Sequence, residues 1–119
     1  MSDSNSHIEK YLMFKHDAEN KDNSIPTRIE AYFNALLHLI ESKAVEFGIH
    51  IEKHQRVRSI LENNQEIFKE NTEKVWRSFQ EIENQIRPGQ IYGGAIDGKK
   101  LGKTQELFRI VETICGVTG

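Results

Sequence analysis

The sequence predicts an all-α fold, an antiparallel bundle of four main helices plus one short helix. Three observations carry this expectation. Pro26 and Pro88 are the only prolines and most glycines lie beyond residue 88, so long stretches contain no helix breaker. Apolar residues recur at spacings of three and four, with no competing strand-like alternation. At 119 residues the chain suits one domain. A domain of this size buries about two thirds of the surface its unfolded chain exposes, so it needs no disulfide staples.

The first helix is expected to start at Ser6, because Ser6-x-x-Glu9 has the capping-box pattern. Ile8, Tyr11, Leu12 and Ala18 supply its apolar face, and "ENKDNS" ends it. The second should begin at Pro26 or Thr27 and run to Phe47, since proline suits a first turn and Gly48 suits a left-handed cap. Ile29, Phe33, Leu36, Leu37, Ile40, Ala44 and Phe47 form its core face. Its other side carries Ala31, Ala35, His38 and Ser42, which are small for a wetted surface. Small residues admit a second backbone, so this side fits a central helix or a homodimer contact; an ordinary exposed face of good helix formers is the alternative.

A short third helix is expected over Glu52–Leu61. Phe68, Thr72, Val75, Phe79, Ile82 and Ile86 then step by four and three, an a/d seam of the kind that packs helices into bundles. Pro88-Gly89 closes that helix, and a loop rich in glycine and lysine follows. The last helix spans Lys99–Cys115, with Leu101, Leu107, Phe108, Val111, Ile114 and Cys115 inward. The chain thus divides into residues 1–24, carrying the first helix, and a bundle core at 25–115, within a single domain.

Sixteen Lys and Arg face eighteen Asp and Glu, a formal net charge of −2. A dedicated nucleic-acid binder has a broadly basic field, so any polyanion site here must be a local patch. The single cysteine, Cys115, lies in an apolar run, which fits a small buried hydrophobe in a reducing compartment. No apolar run approaches the ~20 residues of a membrane span. "MSDSNSHIEK" lacks the basic-then-apolar order of a signal peptide, so a cytoplasmic protein without membrane contact is expected.

"DGKKLGKTQE" ends like a phosphate-binding P-loop in Gly102-Lys103-Thr104, but Asp97 stands where that motif needs glycine, and no strand precedes it. What survives is a cluster of Lys99, Lys100 and Lys103 at a helix N-terminus, which attracts anions. In "GIHIEKHQRVR", His54 and Arg58 share a helical face and offer phosphate contacts, against the plainer reading of a solvated basic face. His50 and His54 straddle a loop–helix boundary without a third ligand, so no metal site and no cofactor is expected. Glu62, Glu66, Glu70 and Glu73 read as a wet face, Glu83 and Arg87 as a local i, i+4 pair, and His7 and His16 suggest nothing catalytic.

The segment "RIEAYFNALLHLIESKAVEFGIHIEKHQRVRSIL", together with "RPGQIYGG" and the final amphipathic helix, resembles HEPN domains over about residues 25–115. The resemblance implies a helical bundle, a homodimer, a nucleotidyltransferase-type partner and a nucleotide or RNA ligand. Some members are metal-independent ribonucleases of toxin–antitoxin systems, with an arginine followed after four to six residues by a histidine. Arg87 carries over onto that arginine, but Tyr92 occupies the histidine position and Pro88 stands where active members carry a polar residue. A phenol with a pKa of about 10 is a poor base at neutral pH, though it can donate a hydrogen bond. The resemblance therefore implies a non-catalytic accessory domain binding phosphate through Arg87, Tyr92, Lys99 and Lys103, with His54 and Arg58 as secondary contacts. A degenerate ribonuclease and a pure interaction module are the alternatives.

Overall fold

The computed structural model describes residues 4–88 and 98–117. Every regular element among them is helical: α1 (Ser4–Glu19), α2 (Ile25–Val45), a 3-10 turn (His54–Arg56), α3 (Val57–Asn63), a second 3-10 turn (Lys69–Asn71), α4 (Thr72–Glu81), a π-helical segment (Ile82–Ile86) and α5 (Gly98–Cys115). The expected all-α bundle is what the chain forms.

α1 begins two residues ahead of the Ser6 expected as its cap. α2 starts as its sequence dictates. The Thr27 N–H donates to the Ser24 side-chain oxygen at 3.3 Å, with Pro26 in the first turn. Regular α2 ends at Val45, and one more turn follows. The Gly48 N–H donates to the Val45 carbonyl (2.9 Å) and the Ile49 N–H to the Ala44 carbonyl (3.0 Å), while Gly48 takes φ +73°. That pair of bonds is a Schellman cap, which leaves Gly48 in its predicted role. Phe47 departs from expectation, standing 49% exposed instead of joining the core. Leu12 does the same at 54%.

The seam of α4 is buried throughout: Phe68, Thr72, Val75, Phe79, Ile82 and Ile86 all face inward. What the spacing did not predict is its change of winding. From Ile82 the helix loosens into a π turn, with the Arg87 N–H donating to the Ile82 carbonyl five residues back. The third helix is also tighter and shorter than expected, a 3-10 turn leading into α3.

α1 and α2 pack antiparallel along their lengths, Arg28 Nε donating to the Ala18 carbonyl at one end and His7 meeting His38 at the other. Of the two expectations for this side of α2, a central helix or a dimer contact, the packing within the chain meets the first. Ala31, Ala35 and Ser42 are buried, and His38 stacks on Phe14 of α1 with ring centroids 5.7 Å apart. The close backbone neighbour that those small residues admit is α1 of the same chain. α1 is in turn fixed to α5, because Glu112 accepts from the Tyr11 hydroxyl and from Lys15 Nζ (2.8 Å). Burial and the adjacent Glu112 carboxylate raise the Tyr11 pKa. Residues 4–24 thus contribute a packed wall of the domain.

Candidate functional site

Phe33 organises the region around Arg87. It projects from α2 into the core and stacks on Phe79 of α4 at 4.9 Å between centroids. The edge-on ring of His54 lies 5.3 Å away, and the Arg87 guanidinium sits 3.9 Å above the Phe33 ring centroid. One buried aromatic ring therefore collects three segments distant in sequence. The cation over its face gains roughly 0.5–2 kcal/mol, depending on desolvation.

Arg87 is not the outward, open cation that the sequence suggests. Nε and Nη2 grip both carboxylate oxygens of Glu30, the second bond measuring 3.1 Å. The side chain is 19% exposed and that of Glu30 36%. The expected Glu83–Arg87 pair does not form, because each residue finds a tertiary partner. Glu83 bonds His54 Nδ1. A carboxylate only accepts, so Nδ1 carries the proton, leaving Nε2 as a lone pair or, in the charged ring, a second donor.

His54, Glu83 and Arg87 line one cavity of about 530 Å³, together with Gln55, Gln80, Asn84 and Pro88. Its size lies within the range of small-molecule sites. A second concavity of about 510 Å³ shares Gln80 and Asn84 with it and adds Arg58, Trp76, Arg77, Glu81 and Gln85. The two form a groove along one side of α4 and the π segment. Trp76 is only 5% exposed, because the guanidiniums of Arg58 and Arg77 lie 4.0 and 5.2 Å from its ring centroid. Each cation of the groove has a carboxylate neighbour: Glu62 for Arg58, Glu73 for Arg77, Glu30 for Arg87 and Glu83 for His54. The groove is rich in hydrogen-bonding groups and nearly neutral.

Of the sequence-predicted residues, His54 and Arg87 meet in one cavity and Arg58 lies in the adjoining one. His54 and Arg58 were expected to act as one face but belong to different concavities, because the 3-10 turn places His54 ahead of α3. Lys99 and Lys103, at the start of α5, line neither cavity, and Lys103 pairs with Glu106 at 3.8 Å. Tyr92 lies outside the described residues. Sequence reasoning missed Gln55, Gln80, Asn84 and Glu30. The first three are polar residues with no distinguishing spacing. Glu30 and Phe33, three apart on α2, carried the one usable signal.

A second polar cluster was also missed. His7 of α1 and His38 and Glu41 of α2 converge where the two helices cross. The two Nδ1 atoms are 3.1 Å apart, and Glu41 Oε1 lies 3.8 Å from that of His7 and 3.4 Å from that of His38. Burial lowers the His38 pKa to about 4 and raises that of Glu41 to about 7. Cys115 is a partly buried thiol pushed up to about 12 by burial, consistent with packing rather than nucleophilic chemistry.

No helix among the described residues is long and apolar enough to cross a membrane. Comparison with family models, curated proteins and solved structures found no match to this chain.

Proposed function

We propose that this chain is a HEPN-like accessory domain that binds a nucleotide or RNA phosphate in the groove beside α4. The observation that carries this is the convergence of His54 and Arg87 on one cavity. An arginine there offers N–H donors beyond the two that Glu30 occupies, and a histidine adds another when protonated. Gln55, Gln80 and Asn84 supply amides of both polarities, suited to the sugar and base of such a ligand. Because carboxylates screen each cation, binding is expected to be modest and only weakly salt-dependent. Homodimerisation and a nucleotidyltransferase-type partner follow from the resemblance alone.

The test is titration of ATP and of a short single-stranded RNA against the purified protein and its Asn84→Asp variant. Asn84 is exposed and lines both concavities, so the new charge should repel phosphate without disturbing the core. Equal affinity for both proteins would remove the groove from consideration.

One observation favours a second function, a metal-independent ribonuclease. Tyr92 cannot replace the missing histidine as a base, but His54 is oriented by Glu83 in the cavity of Arg87. A carboxylate-held imidazole is suited to proton transfer, and an arginine to developing phosphate charge. Cleavage of RNA in the presence of a chelator, abolished by His54→Ala, would support it. Intact RNA under the same conditions would leave the binding function alone.

A further inference from the structure

We propose that His7, His38 and Glu41 form a binding site for a divalent transition-metal ion, with zinc the best-matched occupant, which clips α1 to α2. The site is independent of the groove beside α4. Its three donor atoms come from two helices, and among the described residues no other such group converges within 4.8 Å.

The geometry carries the inference. The separations of 3.1, 3.4 and 3.8 Å define a triangle. A point equidistant from its corners lies about 2.0 Å from each, which is the length of a zinc–imidazole or zinc–carboxylate bond. Two ligands of a tetrahedral zinc ion at that bond length stand about 3.3 Å apart, close to the middle of the observed spread. The side chains are already held in place. His7 and His38 stack with centroids 5.3 Å apart, and Phe14 stacks on His38 at an interplanar angle of 4°. The side chains of His7, His38 and Glu41 are 8%, 18% and 13% exposed, so the cluster is largely enclosed yet reachable.

Chemistry selects the ion. Two imidazoles with one carboxylate suit zinc and its neighbours, whereas calcium and magnesium prefer all-oxygen shells. Imidazole and carboxylate bind a metal only in their deprotonated forms, so affinity must fall as the pH is lowered. The other charged group bearing on His38 and Glu41 is the Lys10 ammonium, an exposed cation that weakens the site only through solvent. An ion at the equidistant point lies in the plane of its three ligands, and a small closing of the triangle towards 3.3 Å opens a fourth, tetrahedral position for water.

The test is calorimetric titration of the whole chain, stripped with a chelator, with zinc chloride at pH 7.5. It is paired with the imidazole region of an NMR spectrum of the same sample. One equivalent should bind with micromolar affinity or tighter, and the resonances of His7 and His38 should move while those of His16 and His50 hold still. Glu41→Gln should weaken binding by about tenfold or more. Absence of saturable binding overturns the proposal, as do shifts confined to His16, His50 or His54, or an unchanged affinity in Glu41→Gln. Should that variant fail to fold, the spectrum of the unaltered protein decides between the same outcomes.

Discussion

Replacing Glu30 with glutamine separates two roles that the Arg87 guanidinium plays. In the native protein Glu30 holds it by two bonds, in a setting where the arginine side chain is 19% exposed and the glutamate side chain 36%. A fully exposed pair contributes about 0.2–1 kcal/mol. A charge-assisted bond away from water contributes about 1.5–3 kcal/mol. Half-open as it is, this pair should lie near 1 kcal/mol after screening. Glu30→Gln keeps an acceptor oxygen and the side-chain shape but removes the charge. Stability should therefore fall by about 1 kcal/mol, a loss of roughly 4 °C in melting temperature for a domain of this length. A phosphate entering the cavity no longer competes with that carboxylate, so the same 1 kcal/mol should reappear as about a fivefold gain in affinity. Urea unfolding and fluorescence titration with ATP or RNA read the two quantities on one sample. A variant that loses stability but binds no more tightly would mean that Arg87 is a structural clasp and receives no anion.

Three further outcomes follow from the packing. Phe79→Ala removes a ring that is 1% exposed and stacked on Phe33; it should cost about 3–5 kcal/mol, read from the urea midpoint. A loss below about 1 kcal/mol would contradict a filled core at that position. Ala35→Leu inserts three carbons where α1 crosses α2 and should destabilise by about 1–3 kcal/mol, with faster amide exchange in α1. A variant as stable as the parent would show that α1 does not cover this face. At pH 8 Cys115 should resist Ellman's reagent until the chain unfolds, because burial raises its thiol pKa to about 12. The sign follows from that direction: the folded state favours the protonated thiol. This contribution is complete below the usual thiol pKa of 9 and is lost as pH climbs towards 12. Rapid labelling of native protein at pH 8 would refute it.

The helices were legible because their causes are local. The 68–86 seam, the Ser24–Pro26 start of α2 and the glycine cap at Gly48 each rest on residues a few positions apart. Partners were not legible, because they depend on which helix lies beside which. The stripe Ala31–Ala35–His38–Ser42 did announce a close neighbour, but nothing in its spacing distinguishes a second copy from α1. Arg87 was found as a notable cation, yet its carboxylate comes from Glu30, and its aromatic floor from Phe33. The trio at the α1–α2 crossing escaped for the same reason. His38 and Glu41 lie three apart on one helix, an ordinary spacing until His7 arrives from another element.

The wide turn at Ile82–Ile86 has a consequence for how this chain tolerates change in length. A π turn is an α-helix carrying one surplus residue, accommodated by a bond that spans five positions instead of four. Removing a single residue from that stretch would let the ladder revert to ordinary winding without losing a turn, so the rod itself should survive. Everything downstream would then keep its facing, because the Arg87 N–H would still meet the Ile82 carbonyl, now four positions back instead of five. The guanidinium would stay over the ring of Phe33 and beside the carboxylate of Glu30. The loosened winding is thus slack that the helix can give up. A deletion there, unlike one in a regular helix, would preserve both the bundle and the aim of Arg87.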